Sequence, residues 1–158
     1  MDWTNWTPRE RANLRFILKD ERLLLIRKKR GLGAGKINAP GGKIEPGETA
    51  LESAIRETRE EVGVVPHAPE QRGELFFQFI DGYSLHCAVF LSFNCDGEPF
   101  ETVEATPFWC DIDKIPFHEM WADDAHWLPH MLDGKSFRGY FTFDGETMLD
   151  HRVVIITK

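Results

Sequence analysis

Residues 42–64 read GKIEPGETALESAIRETREEVGV, from Gly42 to Val64. Thr49 followed three residues later by Glu52 is a capping box, so the sequence predicts a helix starting at Thr49 or Ala50. Gly63 is the expected stop, with Pro66 just beyond it. At 100° per residue, Leu51, Ala54, Ile55, Thr58 and Val62 share one face and are expected to pack on a sheet. Glu57, Glu60 and Glu61 fall in a second arc of about 100°, centred roughly 120° from the first. Like charges at these spacings repel by a few tenths of a kcal/mol per pair. They also crowd the C-terminal half, where the helix dipole disfavours anions. Arg56 relieves only part of this. Two readings follow: a solvated acidic face, or a site for hard divalent cations whose binding removes the repulsion.

Working outward, Ala12–Leu18 and Arg22–Lys28 are apolar runs separated by Lys19-Asp20-Glu21, and read as two strands with a short turn. The run Leu23-Leu24-Leu25-Ile26 is uniformly apolar, the mark of a buried central strand. Residues 28–36, KKRGLGAGK, hold three glycines in five positions. On spacing alone this is a solvated basic turn rather than a phosphate-facing loop, since it is no Walker pattern and does not run into a helix. Residues 1–10 form a polar lead-in carrying Trp3 and Trp6. Downstream, Gly73–Ile80 and Tyr83–Phe93 flank Asp81-Gly82 as a hairpin. Residues 94–99 form a turn-rich loop, and Thr106–Cys110 reads as a strand. Met120 opens an amphipathic segment to about Leu132, with Asp123 and Asp124 as N-terminal acids and Pro129 expected to kink it. Phe137–Phe143 pairs through Asp144-Gly145 with Met148–Thr157.

Composition sets bounds. The 158 residues suit one domain over 1–158 with a real core, and 42% of them are hydrophobic, as in ordinary globular proteins. No apolar run is long enough to cross a bilayer, and the opening residues have neither the basic nor the apolar region of a signal peptide. Cys87, Cys95 and Cys110 are odd in number without C-x-x-C spacing, which fits a reducing cytosol and argues against a disulfide framework or thiolate zinc site. The six histidines show no ligand spacing. A net charge of −7 disfavours polymeric nucleic acid as partner. A small anion remains accessible if a metal and local Lys or Arg neutralise its phosphates.

Gly42, then five residues, Glu48, then seven, then Arg56-Glu57-Thr58-Arg59-Glu60-Glu61-Val62-Gly63-Val64 resembles the Nudix box, departing from it at Thr58, where the pattern has an aliphatic residue. The resemblance implies an α/β fold, an α/β/α sandwich around a mixed β-sheet, and cleavage of a nucleoside diphosphate linked to another group. Glu57, Glu60 and Glu61 would hold Mg²⁺, or Mn²⁺ in its place, against phosphate oxygens, and water would attack phosphorus. Glu48 and Arg56 would orient those ligands. Lys28, Lys43 and loop amides are candidates for phosphate charge.

Three further stretches, KKRGLGAGKINAPGGK, DIDKIPFHEMWADD and SFRGYFTFDGETMLD, resemble one Nudix branch, the animal-type oxidised purine nucleoside triphosphatases (8-oxo-dGTP diphosphatases, MutT-type). By that resemblance Asn38, Asp123 and Asp124 read the base and Trp121 stacks on it. Lys28 reaches the substrate, Gly41 and Glu104 join the metal shell, and Asn13, Phe77 and Leu85 line the pocket. The chemistry is consistent: Asn offers a donor and an acceptor, and two adjacent carboxyls do the same if burial keeps one protonated. Departures from the branch are Leu32 for an aromatic, Ile37 for a tryptophan, Asn13 for a threonine, and Pro40 and Leu85. They leave the metal site alone and repack the pocket wall. The expectation is a cytosolic, monomeric, Mg²⁺-dependent hydrolase that sanitises oxidised purine nucleoside triphosphates to monophosphate and pyrophosphate. Two alternatives stand beside it. One is hydrolysis of another nucleotide (an ordinary or methylated purine dNTP, or a nucleoside diphosphate sugar). The other is a binding module without catalysis, which the intact Glu57/Glu60/Glu61 set opposes.

Overall fold

Leu23, Leu24 and Leu25 are 0% exposed and Ile26 1%, so this run is covered on both faces. Leu23 and Leu25 enter one apolar cluster with Phe16, Trp127 and Phe141. Leu24 and Ile26 enter another with Ile17, Val62 and Val64. A strand buried on both sides loses the apolar–polar alternation and reads as a continuous run.

The computed structural model describes residues 1–156, and Thr157, where the expected last strand ends, lies outside them. In chain order the elements are β1 (Glu10–Lys19), β2 (Arg22–Lys28), β3 (Ile37–Asn38), β4 (Gly41–Lys43), α1 (Ala50–Val62), β5 (Val65–Pro66), β6 (Glu70–Phe79), β7 (Ser84–Ser92), β8 (Cys95–Asp96), β9 (Ala105–Asp111), α2 (Asp124–Leu132), β10 (Ser136–Asp144) and β11 (Thr147–Ile156). The main sheet follows the order β11-β10-β6-β7-β1-β2-β3, with β4 also on β1 and β9 on β2; β5 and β8 form a separate pair. It is mixed, because β1 runs parallel to β7 and β10 parallel to β6, while the hairpins β1–β2, β6–β7 and β10–β11 are antiparallel. The β1–β2 turn uses Asp20 and Glu21, both at positive φ (53° and 61°), as a tight hairpin of primed type requires. Helix α1 packs on β1 and β4, and α2 on β10 and β11. Sheet and helices make the expected layers.

Helix α1 has the expected ends. The Thr49 hydroxyl accepts the Glu52 amide, the Glu52 carboxylate accepts the Thr49 amide, and Gly63 closes the helix at φ 80°. Its faces differ from expectation. Leu51 is 44% exposed, whereas Ser53, Ala54, Thr58, Glu61 and Val62 are buried. The packed face is rotated toward the carboxylates because β1 offers α1 polar partners, Asn13 and Arg15, as well as apolar ones. Thr58 sits there without strain, its hydroxyl donating back to the Ala54 carbonyl at 2.6 Å.

The N-terminal lead-in packs against the sheet. Trp3 lies against Tyr140 and Trp6 against Phe76, and the Trp6 indole N–H donates to Gln78 Oε1 at 2.8 Å. The three cysteines are free and buried. Helix α2 runs to Leu132 with Pro129 inside it.

Candidate active site

Strand β4 brings Gly41 and Gly42 beside β1, in register with Leu14 and Asn13, and the cap at Thr49 then aims α1 back across them. The result is a cleft of about 1310 Å³. Its walls include Asn13, Lys28, Asn38, Gly41, Glu57, Glu60, Glu61, Phe77, Leu85, Glu104, Trp121, Asp123 and Asp124. Chain segments as far apart as β1 and α2 thus place the expected metal, phosphate and base residues in one cleft. Glu48 and Arg56 lie just behind it, bonded to one another.

The three carboxylates differ in surroundings. Glu57 is held by Arg56 at 2.9 Å with its side chain 22% exposed, and Glu60 by Arg56 at 3.0 Å with 60% exposed. Arg56 also makes a two-point contact with Glu48, at 2.6 and 2.9 Å, which holds the Glu48 carboxyl well below the usual range, at about 2. Glu61, expected on the acidic arc beside the packing face, is only 6% exposed. Its Oε1 accepts from Arg15 Nη2 at 2.8 Å and from the Gly41 amide at 2.9 Å. Burial raises its pKa, and the Arg15 charge opposes that rise.

The donor set suits a hard divalent ion: carboxylate oxygens on successive turns of one helix, facing a glycine backbone. Among the described residues no three His, Cys, Asp or Glu side chains already converge as a cage. Here Glu57 and Glu60 turn to Arg56, and Glu61 to Arg15. Glu104 is also ion-paired, to Arg30, which lowers its pKa. Lys43, a candidate for phosphate charge, pairs with Glu10 at 2.6 Å. Lys28 Nζ donates to the Leu32 carbonyl at 2.9 Å, and burial lowers its pKa.

Asp123 and Asp124 are not ordinary helix-end acids. They are 2% and 3% exposed, and the Asp123 side chain caps nothing. Instead Asp123 Oδ2 accepts the Trp127 indole N–H at 2.8 Å, one turn along α2. Asp124 Oδ2 has no hydrogen-bond partner among the described residues. Burial raises both pKa values; the Trp127 hydrogen bond restrains the rise at Asp123, while the neighbouring charge adds to it at Asp124. Asp124 is therefore the more readily protonated of the pair, a donor beside an acceptor. Trp121 stands nearby, edge-on to Phe79 and Phe143. Asn38 Oδ1 accepts the Ala39 amide at 2.9 Å, leaving its NH₂ group for a ligand.

The glycine loop is an exposed turn, as expected, yet it also faces the cleft: Gly31 and Leu32 belong to the cleft wall, and a Cβ at Gly33 would stand 2.6 Å from the Trp121 indole nitrogen. Spacing could not reveal this, because the loop's partner lies in the chain 88 residues on, as the positions of Gly33 and Trp121 show. Ile37, a departure assigned to the pocket wall, is 3% exposed and lies in the main apolar core. Asn13 lines the cleft floor, but its amide is committed to Ser53 and Arg15. Sequence reading missed Arg15, Ser53, Arg30 and Trp127. Arg15 had a signal: it is a charge within an apolar strand, in phase with Asn13 and Ile17.

Residues 8–131 match the NUDIX domain model. The chain is 44% identical over 140 residues to the oxidized purine nucleoside triphosphate hydrolase of Danio rerio, covering 87% of this chain and 90% of that protein. It is 39% identical over 138 residues to the mouse (Mus musculus) protein of the same name, covering 86% and 88%. Among solved structures it is similar to a MutT protein from Bacillus halodurans, at TM-score 0.82 and 27% identity over 91% of this chain and 97% of that one.

Proposed function

Because this chain belongs to the NUDIX domain family, a family of hydrolases, we propose that it hydrolyses oxidised purine nucleoside triphosphates of the 8-oxo-dGTP kind to monophosphate and pyrophosphate. One observation carries this reading. The buried pair Asp123–Asp124, with Trp121 and Asn38, opens into the same cleft as Glu57, Glu60 and Glu61. Relatives 44% and 39% identical over most of the chain bear the corresponding name.

In this reading Trp121 offers its ring face to the purine. Asp124 donates to an acceptor on the base edge, Asp123 accepts from a donor, and the Asn38 amide donates to a third point. Phe77 and Leu85 keep water from the base, and Lys28 meets the triphosphate charge. Glu57, Glu60 and Glu61 hold the divalent ion, Mg²⁺ or Mn²⁺, with Gly41 and Glu104 beside them, and Arg56 and Glu48 set the carboxylates' direction. Bound there, the ion neutralises phosphate charge and lowers the pKa of water for attack on phosphorus. The single domain acts as a monomer on the cytosolic nucleotide pool, keeping oxidised bases from incorporation. Among the described residues no helix is long and apolar enough to cross a membrane.

A second reading, hydrolysis of another purine nucleotide, draws on Leu32. It is 49% exposed on the cleft wall, where the branch resemblance places an aromatic. Nucleoside monophosphate formation with Mg²⁺ from a panel including 8-oxo-dGTP, dGTP and a nucleoside diphosphate sugar, a product common to all three cleavages, separates the two. We expect 8-oxo-dGTP to have the highest kcat/KM. Equal rates on dGTP would remove the preference for oxidised bases and leave the hydrolase; no turnover of any member would remove both.

A further inference from the structure

Arg15 occupies a strand position where an apolar residue would ordinarily serve. On the α1-facing side of β1 its neighbour Ile17 packs with Leu24 and Val62. Arg15 is 1% exposed. One arm, Nη2, donates to Glu61 Oε1 at 2.8 Å. The other, Nη1, donates to Asn13 Oδ1 at 2.7 Å. Asn13 Nδ2 then donates to Ser53 Oγ on α1 at 2.8 Å, and that hydroxyl reaches the Lys43 carbonyl of β4 at 3.4 Å. A continuous chain of polar contacts ties β1, β4 and the carboxylate-bearing helix together. Arg15 Nε is buried and has no hydrogen-bond partner among the described residues.

Stability alone does not call for such an arrangement. A buried ion pair holds little advantage over apolar groups of the same volume, and an unpaired buried donor makes it worse. What the network delivers is direction. The Gly41 amide and Arg15 both aim at Oε1 of Glu61. No hydrogen bond ties the second oxygen, Oε2, to the described residues, and Glu61 lines the cleft. A carboxylate pinned by one oxygen presents the other in a fixed orientation.

Resting on the hydrolase reading, we propose that Arg15 is a positioning residue for the reaction. Its guanidinium, beneath the cleft floor, pins Glu61 by Oε1 so that Oε2 is presented to the divalent ion and the reacting phosphate. It also supplies one positive charge to the acidic face from below, balancing Glu61 when no ion is bound. Asn13 and Ser53 hold the guanidinium in turn.

The test uses the full chain with two readouts: thermal melting with and without Mn²⁺ in the absence of nucleotide, and kcat and KM for 8-oxo-dGTP with Mg²⁺. In Arg15→Met we expect a lower melting temperature without metal, and a larger gain on adding Mn²⁺ than in the wild type, because the ion takes over the charge that Arg15 balanced. We expect kcat to fall about 10- to 100-fold, the usual consequence of losing a group that orients a ligand, with KM little changed. Equal melting losses with and without Mn²⁺ would overturn the proposal. If Arg15→Met does not fold, Arg15→Lys replaces the fork by a point charge. It should fold and melt near the wild type while kcat falls at unchanged KM, and a wild-type kcat in R15K would overturn the proposal. The melting increment needs no turnover, so failure of the wild type on every nucleotide would remove the hydrolase reading and still leave the charge that Arg15 balances at Glu61 measurable.

Discussion

The Glu57 carboxyl lies directly against Gly42: a Cβ built at Gly42 would stand 2.8 Å from the Glu57 carboxyl carbon and from its Oε2. The glycine is there because the helix lays an acid across the strand, not to make a turn. Gly42→Ala should therefore displace Glu57 without touching the base pocket. Because a misplacement near 1 Å costs about 10²-fold, we expect kcat to drop to that extent with KM for nucleotide nearly constant. Steady-state kinetics decide it, and a wild-type kcat would show that Glu57 is not held where the reaction needs it.

Trp127 sustains the proposed base-reading acids from behind. It is 0% exposed, stacks on Phe137 at 5.2 Å and donates to Asp123. Trp127→Phe leaves the stack and removes the donor and part of the volume. Stability should fall by about 2–3 kcal/mol by denaturant unfolding. KM for 8-oxo-dGTP should rise more than kcat falls, since the group lost touches the base reader and not the carboxylates. An unchanged KM would count against Asp123 as a reader.

The acid pair makes stability and affinity depend on pH in one direction. Burial raises the Asp124 pKa, and the Asp123 charge adds to the rise. A carboxyl raised in the folded state holds its proton more tightly there than in the unfolded chain. The stabilisation is full below the ordinary Asp value of about 4 and is lost as pH rises through the raised one. Asp124→Asn keeps a donor and has no proton to lose. The wild type should thus lose stability relative to D124N as pH climbs, and its KM should rise alongside. Parallel curves of stability against pH in urea would refute the assignment of the proton to Asp124.

Thr58 stands where an aliphatic residue is the pattern, buried, with its hydroxyl turned back on the Ala54 carbonyl. Val has nearly the same shape and removes a bond that competes with the helix ladder. Thr58→Val should keep kcat and KM and change stability by less than about 1 kcal/mol. A large loss of activity would mean that Thr58 does more than fill space.

Much of α1 was legible because its signals are local. A capping box needs only Thr49 and Glu52, and a left-handed cap needs only Gly63. The apolar run of β2 likewise declared itself, since a strand covered on both faces has no polar side. The rotation of α1 was not legible. Helical phase put Leu51 on the packing face and Glu61 on the acidic arc beside it, yet Leu51 is 44% exposed and Glu61 is 6%. The competing term was Arg15, whose burial on the neighbouring strand makes the inward position of an acid favourable. The glycine loop is exposed as expected, but its contact with Trp121 was not legible, because that partner is remote in sequence.

The sequence by itself determined the proposed reaction machinery. The fixed spacing of Gly42, Glu48, Arg56, Glu57, Glu60 and Glu61 sits on one short strand, one turn and one helix that follow directly in the chain, where residues at short separations meet whatever surrounds them. The tertiary structure alone decided how those groups are held and which protonation states the pocket favours. Arg15 reaches Glu61 across 46 residues, and Trp127 with its surrounding core buries the Asp123–Asp124 pair. Charge, burial and direction at a site depend on what packs against it, and only the folded chain brings those partners together.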